Sequence, residues 1–143
     1  MSNIAIISCS NVKNELNCPG TGCFHSFANN IGAFKKYKNS NSNIVGFSTC
    51  AGCPTIYAAE KILNKVKPLI ELSHADTPHF STCMVKFCPF LKKYANLIKE
   101  KYPDIVLVYG TDESTSFENM KKMLRDLLIN TDCDITEAIK KCK

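Results

Sequence analysis

Nine of the 143 residues are cysteines, and six of them fall into short paired patterns. Cys50-Ala-Gly-Cys53 is followed by Pro54, Cys18-Pro-Gly-Thr-Gly-Cys23 spans a C-x4-C pair, Cys83 and Cys88 form a second C-x4-C pair, and Cys9 stands alone. Two residues between thiols let both sulfurs face one point, which suits a shared metal or a reversible disulfide. The cysteine count is odd, and 45% apolar content supplies an ordinary core. Residues 1–9 have no basic start and only a short apolar run, so they are not expected to be an export signal. A cytoplasmic, reducing environment is therefore expected, which leaves metal binding or redox chemistry as the reason for so many thiols.

The elements that carry these thiols follow from periodicity. Residues 3–8 are β-branched and apolar, as in a strand buried on both faces of a parallel sheet. After a polar loop, residues 24–37 place Phe27, Ile31 and Phe34 at helical spacing. Residues 43–49 are a second strand. A helix is expected over 54–67 with Ile56, Ala59, Ile62, Leu63 and Val66 inward, kinked or restarted at Pro68. A third strand is expected over 77–83, a helix from Cys88-Pro89 to Lys101, and a fourth strand over 104–109. A helix over 116–129 follows, and Asp134-Ile-Thr-Glu137 has the form of a capping box.

Strands separated by single helices imply right-handed crossovers, hence a three-layer α/β, Rossmann-like or flavodoxin-like domain. Its four-stranded parallel sheet is expected in the order 2-1-3-4, with the ligand crevice beyond the carboxyl ends of the strands. Cys9, Cys18, Cys23, Cys50, Cys53, Cys83 and Cys88 then all belong to βα junctions at one sheet edge. Cys133 and Cys142 lie in the tail and are expected to be incidental.

Cys18, Cys53 and Cys88 each precede a proline. Proline suits the first helical position, which would make each cysteine a cap whose thiolate meets free amides and the positive end of a helix, worth roughly 0.3–1 kcal/mol. Gly20, Gly22 and Gly52 would let the backbone approach a bound group and donate amide hydrogens to sulfur. Together these features favour an iron–sulfur cluster held by Cys50, Cys53, Cys83 and Cys88, with Cys9, Cys18, Cys23 and His79 as further candidate ligands. Zinc, which takes four ligands at similar spacings, is the alternative. A third reading is thiol–disulfide exchange in which Cys50 attacks and Cys53 resolves.

His79 reads equally as a core histidine bonded to a carbonyl. His25 and His74 read as surface residues, and Asp112, Glu113 and Ser114 as a capping loop at the thiol edge. Gly20-Thr-Gly22 lacks the remainder of a phosphate-binding loop. The net charge of +5 is scattered over lysines with no basic run, so nucleic acid is not expected. No apolar run nears the roughly 18 residues of a membrane helix, so no membrane partner is expected either. The partner anticipated is a redox or metal-transfer protein, and a cluster near the surface could be shared in a homo-oligomer. No reaction can be assigned from these residues.

The order and spacing of Cys18-Pro-Gly-Thr-Gly-Cys23, Ala33-Phe34, Ile44-Val-Gly-Phe, Cys50-Ala-Gly-Cys53-Pro54, His79-Phe-Ser-Thr-Cys83-Met and Cys88-Pro89 resemble the CGGC domain of anaerobic bacteria and archaea. The resemblance covers residues 1–112 and implies a metal-binding domain, with zinc suggested by the family's cysteines and histidines. It implies no reaction. Ala51 replaces the first glycine of the motif, and Asp112 stands where a histidine is expected after the Gly-Thr pair. Residues 113–143 read as a helical extension packed on the same domain.

Overall fold

The structure, a computed structural model, describes residues 1–53, 58–112, 118–119, 121–122, 125–126 and 134–142. Strands β1 (Ser2–Ser8), β2 (Ser42–Thr49), β3 (Thr77–Phe80) and β4 (Val108–Tyr109) form one sheet in the order β2-β1-β3-β4, with every pairing parallel. This is the expected three-layer α/β arrangement. Central β1 is sealed from Ile4 to Ile7, each fully buried. Its alternation divides the core. Ala5 and Ile7 face a layer built from Ile62, Val66, Phe80, Met84, Tyr94 and Ile98, whereas Ile4 and Ile6 face Phe34 and Tyr37.

The first layer is made by α3 (Ala58–Glu71), α4 (Thr82–Phe87) and α5 (Leu91–Lys101). Helix α3 lies so close on β2 that a side-chain carbon at Gly46 would run into Leu69, which explains a glycine in mid-strand. The opposite layer holds α2 (Thr21–Ala28) and a 3-10 helix (Gly32–Tyr37). There the Phe27 ring meets Phe34 edge-on at 5.4 Å, a favoured aromatic geometry.

Several local expectations are corrected. The segment 24–37 is not one helix: Asn30 adopts a left-handed backbone, φ 53°, which ends α2 before the 3-10 helix begins. The polar loop after β1 contains a short helix, α1 (Ser10–Asn14). Helix α3 does not restart at Pro68 but runs on to Glu71; the proline lies in its last turn, and the neighbouring Leu69 is anchored in the core. Strand β3 stops at Phe80 rather than 83 because Ser81 caps α4, accepting the Met84 amide at 3.4 Å. Only two residues of the expected fourth strand pair, with Val106 donating separately to the Asp76 carbonyl.

In the expected extension, 118–119, 121–122 and 125–126 are helical and α6 (Ile135–Cys142) follows. Asp134 caps α6, its carboxylate accepting the Glu137 amide at 2.9 Å. Ala138 of α6 is buried, and Ile135, Thr136 and Lys140 flank a cleft against Asn17, Pro19 and Thr21. Among the described residues no helix is long and apolar enough to cross a membrane.

Candidate thiol and metal site

The chain order reverses between β1 and β3, and the crevice beyond their carboxyl ends is where an open parallel sheet binds ligands. Cys9 leaves β1 and Cys50 leaves β2. Ser81 leaves β3, with Cys83 in the first turn of α4. Cys18 and Cys23 come from the segment joining α1 to α2 and from α2 itself. Two of these thiols, Cys23 and Cys83, therefore sit inside helices, not in loops as the sequence suggests.

The thiols fall into two groups. Cys9, Cys18, Cys23 and Cys83 line one cavity of about 20 Å³, together with Ser8, Val12, Lys13, Gly20 and Phe47. A space of that size holds roughly one atom-sized guest. Ser8 lines it too, and its hydroxyl is buried with no hydrogen-bond partner among the described residues. Lys13, another lining residue, lies with its ammonium 5.4 Å from the centre of the Phe47 ring. Cys50, Cys53 and Cys88 lie outside that lining; they interact electrostatically with Tyr94, as does Cys9. Tyr94 is fully buried, and its hydroxyl too has no hydrogen-bond partner among the described residues.

Each thiol's charge state has a local cause. Burial pushes Cys23 up to about 12 even though the Thr111 hydroxyl, 3.0 Å away, opposes the shift. Burial likewise raises Cys83, against the Ser81 hydroxyl at 2.9 Å, and raises Cys88. Cys50 is the exception. A hydrogen bond from the Cys9 thiol, joined by the amides of Ser10 and Gly52, holds it well below the usual thiol range despite its burial. The same bond, with burial, raises Cys9. The cysteines preceding proline do not act as expected: α2 is capped by Gly20, and Cys88 ends α4 while Phe90 precedes α5. Pro54 lies outside the described residues. Among the described helix starts, Cys9 is the cysteine that occupies an N-cap, that of α1.

His79 is drawn away from any ligand role. It is fully buried, stacked on Phe34 at 4.7 Å, and its Nδ1–H donates to the Gly110 carbonyl at 2.9 Å. Its Nε2 accepts the Tyr37 hydroxyl at 2.9 Å, so both ring nitrogens are taken. Burial lowers its pKa to about 4.

The glycines divide by role. Gly20 has φ 79° and supports the Phe24 and Phe47 rings. Gly22 leaves room for Asp112, whose carboxylate oxygen would lie 2.7 Å from an added carbon. The Gly52 amide donates to the Cys50 sulfur.

Sequence reasoning missed the polar frame behind the thiols. Thr111 is fully buried; its hydroxyl accepts the Thr82 amide at 3.2 Å, and its own amide donates to the Thr82 hydroxyl at 3.1 Å. This reciprocal pair ties the end of β4 to the start of α4. Ser81, three residues before the amide that it caps, was legible as a helix start; Thr111 and Tyr94 carried no such signal.

The donors suit a thiophilic metal, yet their side chains do not converge in this arrangement: among the described residues no three His, Cys, Asp or Glu side chains are placed to hold one ion.

Comparison with known proteins adds ancestry. The model of the CGGC domain matches residues 3–112. An uncharacterized protein of Methanocaldococcus jannaschii is 30% identical over 116 residues, covering 76% of this chain and 84% of the relative. A second uncharacterized protein of the same organism is 42% identical over 53 residues, covering 37% of this chain and 73% of that relative. No solved structure matches.

Proposed function

The chain belongs to the CGGC domain family, and from that premise we propose that it binds a single thiophilic metal ion through Cys9, Cys18, Cys23 and Cys83. The observation that carries this reading is the cavity that these four thiols line, beside an unpartnered buried serine hydroxyl and a lysine. An isolated buried hydroxyl costs about 1–3 kcal/mol, so a polar guest at that point offsets a defect. Metal binding there would release the thiol protons of these buried cysteines.

The volume favours an ion over a cluster. Spacing alone pointed first to iron–sulfur, but a cluster needs room for several atoms, and about 20 Å³ admits about one. Zinc is the ion of choice, since four thiolates suit its tetrahedral preference. Bound there, it would cross-link β1, α2 and α4 beyond the sheet edge.

Metal analysis and a visible spectrum after anaerobic purification test the reading. One equivalent of zinc on a colourless protein is expected. Stoichiometric iron and sulfide with broad absorption near about 400 nm would establish the cluster instead, and a chain that retains neither metal after zinc loading would end the metal reading.

A further inference from the structure

Beyond metal binding, we infer that Cys9 and Cys50 form a redox-active dithiol, a pair joined across neighbouring strands and not through the C-x-x-C motif. The ladder between β1 and β2 pairs Ser8 with Thr49, and it continues one step further because the Cys50 amide donates to the Ser8 carbonyl at 2.9 Å. Cys9 and Cys50 are therefore the next residues on adjacent parallel chains. Neighbouring strands lie about 4.8 Å apart, inside the roughly 4.4–6.8 Å between α-carbons that a disulfide spans. In one parallel register the two side chains leave the sheet on the same face, and the Cys9 thiol is the chief influence on the charge state of the Cys50 sulfur. The Ser10 amide points at the Cys50 sulfur from 3.4 Å, which fixes that side chain towards Cys9.

Cys53 is placed differently. It is exposed, whereas Cys50 is buried, and the intervening Gly52 at φ 92° turns the chain between them. Cys50 is joined to Cys9 through the sheet register, and Cys53 lies outside that register.

The exchange uses a low-molecular-weight disulfide, RSSR, as oxidant. With one proton between the two sulfurs, the thiolate of the pair attacks RSSR and expels RS⁻. The other sulfur of the pair then attacks the first in the mixed disulfide and expels the second RS group, which takes the remaining proton and leaves as RSH. Two protein sulfurs lose two electrons, and one RSSR gains them. Nothing else is consumed.

The test treats the full chain, reduced and with a chelator present, with glutathione disulfide, then blocks free thiols and digests with trypsin. Free thiols should fall from nine to seven. The peptide 1–13, whose one cysteine is Cys9, should appear linked to 39–61, which carries Cys50 and Cys53. Cys53→Ser should keep the link and Cys50→Ser should lose it. Since the buried Cys50 position tolerates change less well, the Cys53→Ser result decides. A link that vanishes in Cys53→Ser, a bridge closed within 39–61, a bridge between two copies, or nine thiols left unoxidised would each overturn the proposal.

Discussion

Acid should weaken this fold through His79. Its neutral ring donates to the Gly110 carbonyl and accepts from Tyr37, and burial lowers its pKa from 6.5 to about 4. The sign follows from where the proton binds. Unfolded, the imidazole takes a proton as pH drops through about 6.5; folded, it resists until about 4, because a charged ring would be desolvated and would present a second N–H to the Tyr37 hydroxyl. Stability from this group is full above pH 6.5, declines as pH falls towards 4, and changes no further below that. The gap between 6.5 and about 4 corresponds to about 3 kcal/mol. The measurement is urea denaturation of the reduced, metal-free chain at steps between pH 7.5 and about 4.5, beside His79→Gln, which does not titrate there. The wild-type chain should lose of the order of 2 kcal/mol more than the variant over that range. Parallel curves would refute the buried, doubly bonded histidine. Metal content adds a separate check: folded His79→Gln should hold as much zinc as the wild type, whereas a histidine ligand would take the metal with it.

The thiol assignment predicts that Cys18→Ser lowers zinc affinity tenfold or more while Cys53→Ser changes it by less than about twofold, read by competition with a chromophoric chelator. Thr111→Val should cost about 1–3 kcal/mol in denaturant titration, because the buried Thr82 amide loses its acceptor; an unchanged midpoint would show that the reciprocal pair is dispensable. Gly20→Ala should cost about 1–3 kcal/mol, since its φ of 79° is strained for alanine and the added carbon would sit 3.1 Å from the Phe24 ring. A neutral result there would mean that the turn before α2 can relax.

The apolar runs of β1 and β2, and the single helical patterns between strands, determined the layered parallel sheet and its order, because a strand sealed on both faces has few other places to go. That placement in turn put Cys9, Cys50 and Cys83 at one edge before any coordinate was known. Local signals were enough for the Asp134 cap and for the stripe of Ile62 and Val66. They failed where conformation is decided at a distance. The Cys-Pro pairs read as helix starts, yet α2 begins where Gly20 turns over packed phenylalanine rings, and α5 begins beyond Phe90. His79 could not be told from a ligand until Tyr37, 42 residues away in the chain, closed on its second nitrogen. The grouping of the thiols likewise belongs to the tertiary structure. Spacing joins Cys50 to Cys53, but a sheet register joins Cys50 to Cys9, and the loops folded over β1 join Cys9 to Cys18, Cys23 and Cys83, because contact between sulfurs depends on which backbones run side by side and not on how few residues separate them.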